Sequence, residues 1–282
     1  MSEAGTLPFY NRGGAQAFLR DLAGLGEDRL PLGQAALALA CLDRPRADPA
    51  RYHRHLQVLA REVGEVSAAE AVDRAAALTS VILGRHRYEG DTQNYGDLQN
   101  ANLMRVIDRR KGLPVALGIL YIDAGRAQGW DMAGLAFPGH FLVRLHDHGE
   151  RVILDPFHGG RVRQAAELRD LLKAIAGSEA ELTAAHYADV SDRDVLLRLQ
   201  NNLKLRLIES QQLEQALEVI EAMMLLAPDH ALLWREAGLV NAELGNLRAA
   251  ITALERCLVL GDDDLPQHHT AALLQELRAR LH

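Results

Sequence analysis

His140 and Asp155 are the two residues whose types and spacing best suit chemistry. They stand 15 residues apart, in FPGHFLVRL and RVILDPFHGG. An imidazole beside a carboxylate can accept a proton, and the carboxylate fixes the ring. Such a pair ordinarily serves a nucleophile, and a cysteine at a helix start is a natural one because the dipole there favours thiolate. The helix start just upstream reads Gly112-Leu113-Pro114-Val115-Ala116, with no side chain able to attack a carbonyl. The two cysteines, Cys41 and Cys257, lie outside this stretch, each inside a helical pattern. They read as buried thiols acting as small hydrophobes, in preference to Cys41 folding over into the site. Their separation argues against a disulfide framework or a metal-ligand pair.

Other polar groups surround the pair. His140, His146, His148, Asp155 and His158 could form a metal site. No ligand pair sits at i, i+4 on a helix, and His146 and His148 flank a turn, so neither metal nor cofactor is expected. Asn100 and Asn102 could donate to a ligand in the same cleft, but helix capping is the preferred role. Arg109, Arg110 and Lys111 suit a solvated helix C-terminus. Gly159-Gly160 lacks the following Lys-Ser/Thr of a phosphate loop.

Short segments must position the pair. Pro114 belongs in the first turn of a helix, where its missing N–H costs nothing. That helix carries apolar residues almost all round and ends at Gly129, so it is expected to be buried on most sides. MAGLAF, HFLVRL and RVILD follow as strands, with HDHGE as a hairpin turn. Folding about that turn brings His140 opposite Asp155 or within one residue of it, at one end of a two-stranded ribbon. RQAAELRDLLKAI reads as a helix outside the core. Before the site, NLMRVIDRRKG reads as a short helix with Gly112 at its C′ position.

Residues 10–87 read as about four helices, the last opened by a Ser67–Glu70 capping box. The C-terminal third repeats. Leu197–His230 and Ala231–Asp264 are windows of 34 residues each. Trp234, Gly238, Leu244, Gly245, Ala250, Leu254 and Cys257 mark the second as a tetratricopeptide repeat. The first is degenerate, with Lys204 where a glycine is usual. PQHHTAALLQELRARLH reads as a capping helix. The polar stretch GSEAELTAAHYADVSDRD suggests two domains, 1–187 and 188–282.

The chain has 282 residues, 48% hydrophobic and 24% charged, with 31 basic and 38 acidic residues giving a net charge of −7. That composition suits a globular protein and argues against a dedicated nucleic-acid binder. The N-terminus has neither a basic start nor an apolar run, so no signal peptide is expected. No stretch approaches the roughly 20 apolar residues of a membrane span. A cytoplasmic location without membrane contact is the expectation.

The blocks NANLMRVIDRRKGLPVALGILY, FPGHFLVR, ILDPFHGG and RLQNNLK, in that order and followed by the repeats, resemble the SirB-type transglutaminase-like proteins of bacteria. The resemblance implies a mostly helical α+β fold, with a papain-related transglutaminase-like core, a small antiparallel sheet and a short α-helical repeat array. In active members a cysteine opens the central helix, with a histidine and an aspartate on the sheet. His140 and Asp155 match the latter two, while Pro114 stands about where the cysteine would be. The expected function is therefore a non-catalytic protein- or peptide-binding or regulatory module using its repeat region. The alternative is a hydrolase or amidase in which the His140–Asp155 dyad activates water. A weaker possibility is a transcription-linked regulator acting through protein contacts. Oligomeric state is left open.

Overall fold

Helix starts in the N-terminal third are set by side chains that satisfy their free amides. The computed structural model describes residues 6–26, 29–261 and 267–281. Helices α1 (Arg12–Ala23), α2 (Leu32–Asp43), α3 (Pro49–Gly64) and α4 (Ala71–Thr79) come first, and α4 runs on into a π-turn, Ser80–Arg85. Asp48 caps α3 by accepting the Ala50 amide at 3.0 Å, with Pro49 in the first helical position. The expected Ser67 cap is corrected. Helix α4 begins three residues later, and Asp73 reaches back to the Glu70 amide at 3.4 Å. The carboxylate pair offers the same reciprocal geometry one turn downstream.

The start of α2 is held by side chains far away in sequence. The Gly33 amide of α2 donates to Asp123 Oδ1 at 3.0 Å, and the Leu30 amide donates to Asp192 Oδ2 at 2.8 Å. Asp192 also accepts from Arg126 at 2.6 Å. Pro31, at the cap position of α2, has no side-chain group to offer.

Strand β1 (Glu89–Gly90) pairs in parallel with β2 (Lys111–Gly112), enclosing α5 (Leu103–Arg109). The chain leaves α5 through Arg110, at φ 61°, and not through a glycine. The expected C′ role of Gly112 is thereby corrected: Gly112 lies in β2, where a side chain would press on Val106. Arg110 tolerates the left-handed position because its guanidinium is held by the Tyr88 hydroxyl and by His55 Nε2. His55 also meets Tyr88 at 2.8 Å and packs edge-on to His86, which bonds Glu62.

Burial, helped by Arg110 and His86, holds the His55 imidazole down at about 4. Unfolding returns it to about 6.5. The unfolded chain thus binds the extra proton between these values, so stability is full above pH 6.5 and falls as pH drops toward 4. The slope approaches about 1.4 kcal/mol per pH unit for one such group. Urea titrations at pH 7 and pH 5 should show this fall in the wild type and a smaller one in His55→Gln. Equal falls would overturn the assignment.

Helix α6 (Pro114–Arg126) is buried along nearly its whole length, as its all-round apolar pattern requires. Its Gly118 lies under the Phe141 ring and its Gly125 under Met132. A five-stranded antiparallel sheet packs on it: β3 (Asp131–Leu135), β4 (Val143–Asp147), β5 (Glu150–Asp155), β6 (Arg161–Val162) and β7 (Asp189–Val190), in the order β6-β5-β4-β3-β7. The expected hairpin turns at His148-Gly149, both at positive φ, and pairs Asp147 with Glu150. Helix α7 (Ala165–Ala176) does not stand outside the core. Its Leu168 and Leu172 close a cluster with Leu135, Phe137, Leu142 and Ile153.

The chain divides into two compact units, Met1–Phe18 with Gly26–Leu199, and Leu19–Leu25 with Gln200–His282. The division falls inside α8 (Asp192–Glu209), twelve residues beyond the polar boundary at 187. The second unit continues with α9 (Leu213–Leu226), α10 (Ala231–Glu243), α11 (Leu247–Leu260) and α12 (Gln267–Leu281). Gly238 lets α10 approach α11 closely, since a Cβ there would come within 2.6 Å of Leu254. Asp262–Asp264, read as an inter-helix turn, lies outside the described residues.

Lys204 carries its charge into the repeat core and is 3% exposed. Its Nζ meets both oxygens of Glu236, at 2.7 and 2.6 Å. The usual glycine is thus replaced by a charge-assisted clamp between α8 and α10. Lys204→Met should lower stability by about 1.5–3 kcal/mol, the range for a hydrogen bond to a charged group. A chemical-denaturation midpoint unchanged from wild type would show the clamp to be inert.

Candidate functional site

The DPFHGG turn builds the floor of the site. Asp155 ends β5 and caps a single 3-10 turn, Pro156–His158, by accepting the His158 amide at 3.2 Å. Pro156 suits the first position of that turn. Gly159 and Gly160 then take φ 71° and 73°, and the Gly160 amide donates back to the Asp155 carbonyl at 2.8 Å. Glycine is required at 160. A Cβ there would strike Thr79 Oγ1 and the Tyr121 hydroxyl.

His140 is not on a strand, as the sequence suggested. It follows the Pro138-Gly139 turn, with Gly139 at φ 65°, and precedes β4. Proline removes a ladder donor and the glycine reverses the chain, so pairing stops at Val143↔Leu154. Arg198 fixes the segment from behind. It donates to the His140 carbonyl at 2.9 Å and lies 5.5 Å from the centre of the Phe141 ring.

The two residues meet nonetheless. His140 Nε2 lies 2.9 Å from Asp155 Oδ1, with Asp155 fully buried and the His140 side chain 11% exposed. Asp155 has further partners on its other oxygen: His158 Nδ1 at 2.8 Å, and Arg163 Nε and Nη2 at 3.0 and 2.7 Å. Burial alone would raise this carboxyl. The bonds from His140 and Arg163 and the nearness of His158 outweigh it, so the group stays ionised well below the usual carboxylate range. An ionised carboxylate only accepts, so His140 presents Nε2–H to it.

Three of the five histidine and aspartate positions weighed as metal ligands come together: His140, Asp155 and His158. His146 stands apart, with Asp131 at 3.5 Å, and His148 is almost wholly exposed. Asn100 and Asn102 are both buried and bonded within the protein. Asn100 accepts from Arg109 at 2.9 Å and donates to the Asn94 carbonyl. Asn102 caps α5 through the Arg105 amide and donates to Asp43 at 2.8 Å. Of the expected solvated cluster, Arg109 instead reaches buried Asp91 at 2.9 Å, and Arg110 joins the His55 hub. Only Lys111, opposite exposed Glu89, has the expected character.

Pro114 opens α6, and Leu113 to Ala116 are apolar and buried. Cys41 is buried within α2, where burial pushes its thiol up, away from the reactive thiolate. Arg163 and Arg198 were missed from sequence. Arg163 stands eight residues after Asp155, just past the two-residue strand leaving the turn, with no motif to mark it. Arg198 opens the RLQNNLK block.

Known proteins match this chain over both of its regions. Residues 50–201 match the model of the transglutaminase-like superfamily, and residues 203–279 match that of the tetratricopeptide repeat. A UPF0162 protein of Pseudomonas aeruginosa is 31% identical over 264 residues, spanning 90% of this chain and 93% of that one. A UPF0162 protein of Xylella fastidiosa is 30% identical over 267 residues, 92% of this chain and 91% of its own. Protein SirB1 of Salmonella typhimurium is 28% identical over 153 residues, 54% of this chain and 56% of its own.

Proposed function

The chain belongs to the transglutaminase-like superfamily, as a SirB-type member with C-terminal tetratricopeptide repeats, and from that premise we propose that it is a non-catalytic module that binds a protein or peptide. One observation carries the reading: the first turn of α6 is Leu113-Pro114-Val115-Ala116, while the His140–Asp155 pair remains assembled. An oriented imidazole with no nucleophile to deprotonate cannot start covalent acyl transfer. Stacked helical hairpins present side chains for partner binding. Among the described residues, no helix is long and apolar enough to cross a membrane.

A broad amidase and esterase screen tests the catalytic half of the reading. Wild type and His140→Ala are expected to give the same background rate. Turnover that disappears in His140→Ala would establish the second reading, a hydrolase in which His140, oriented by Asp155, activates water. The geometry that favours this second reading is the buried, ionised Asp155 behind the ring. The binding half is tested by pull-down with and without Leu205→Glu, at a residue of α8 that is 48% exposed. A partner lost with that change supports the repeat surface. A partner retained by it removes this surface from the reading.

A further inference from the structure

We propose that His140, Asp155 and His158 bind a divalent d-block ion of the Zn2+ type, a property beyond the binding reading above and independent of whether any chemistry follows. One donor atom from each residue lies within 4.8 Å of the other two. Two imidazole nitrogens and a carboxylate oxygen are a donor set that zinc and iron(II) sites use. Tetrahedral Zn–N and Zn–O bonds of about 2.0–2.2 Å place neighbouring donors roughly 3.3–3.6 Å apart. The rings reach different oxygens of the carboxylate, His140 Nε2 at 2.9 Å from Oδ1 and His158 Nδ1 at 2.8 Å from Oδ2, so an ion would sit between the two rings on one of these oxygens or on both. His158 must shift to bring its Nδ1, His140 Nε2 and the carboxylate to ligand spacing about the ion.

His158 can make that movement. Its side chain is 48% exposed, and the glycines that follow it leave the turn without bulk. Asp155 and His140 are held, the first by burial and the second by Arg198 on its carbonyl. The ion takes the place of the two N–H protons aimed at Asp155. Each ring would then offer the ion a nitrogen lone pair, His140 through Nε2 and His158 through Nδ1.

Arg163 is the built-in competitor. Its guanidinium holds Asp155 Oδ2 and sits 3.2 Å from His158 Nδ1, where its charge opposes a cation. It has somewhere to go: Glu167 Oε1 lies 3.8 Å from its Nη1. The site should therefore bind an ion only moderately, and removing a positive residue should tighten it.

Calorimetric titration of the full chain with ZnCl2, repeated with CoCl2 under visible absorption, tests the proposal. One ion per chain is expected, with a Co2+ ligand-field band. His158→Ala should weaken binding by more than the roughly 10–100-fold that a residue outside the ligand set is worth. His158 is half exposed, and circular dichroism checks that the variant folds. Arg163→Gln should tighten binding about tenfold, the direction that relief of charge repulsion dictates. Replacing His268 and His269, an exposed adjacent pair on α12, should change nothing. Absence of one-to-one binding at millimolar ion overturns the proposal. So does equal affinity in His158→Ala, weaker binding in Arg163→Gln, or loss in the His268/His269 double variant.

Discussion

Asp155→Ala is expected to cost about 3–5 kcal/mol of folding stability, the range for removing one partner from a buried ionic cluster. The carboxylate is fully buried, and its two oxygens serve His140, the amide and ring of His158, and Arg163. Removing it leaves the 14%-exposed Arg163 side chain without its principal counter-charge and the His140 ring without a partner. The measurement is the urea midpoint of the first unit's transition, with the slope checked for constancy. His158→Ala is the internal comparison. It loses one half-exposed contact and should cost under about 1 kcal/mol. Comparable losses in the two variants would mean that the carboxylate does not anchor the cluster.

Gly160→Val should cost about 2–5 kcal/mol. A β-branched residue at φ 73° costs roughly 1–2 kcal/mol in the backbone. Collision with Thr79 and the Tyr121 hydroxyl adds roughly 1–3 kcal/mol. Gly149→Val separates the two contributions. Gly149 is also at positive φ, in the β4–β5 turn, but no neighbour lies within 4 Å of its missing side chain. It should lose the backbone part alone. If both variants melt together, packing behind the DPFHGG turn is looser than the structure requires. Hydrogen exchange at residues 155–163 should quicken in Gly160→Val and not in Gly149→Val.

Local signals were the readable ones. Pro114, Asn102 and His148-Gly149 each act within a turn of their own position, and each does what its residue type dictates. The repeat was legible because Gly238 and Leu254 meet at a spacing the whole architecture shares. The readings that failed were decided by distant partners. Arg110 displaced a glycine as the helix terminator because His55 and Tyr88 hold its guanidinium. Ser67 lost the cap to Glu70, the residue read as its capping-box partner, because Asp73 one turn on bonds the Glu70 amide. The ribbon brought His140 and Asp155 near each other in sequence terms. That a second histidine and an arginine divide the other carboxylate oxygen was hidden, because β6 is two residues long and has no periodic signature.

The remote caps on α2 bear on how the protein is made. The helix leaves the ribosome about 90 residues before the aspartate that receives the Gly33 amide, and about 160 before the one that receives Leu30. Until Asp192 emerges, the start of α2 is unfinished, while α3 and α4 are already closed by Asp48 and by Glu70 and Asp73. A nascent chain halted before α6 should be open to protease, and one halted beyond α8 resistant. The start of α2 is thus among the first parts to be synthesised and among the last to be secured.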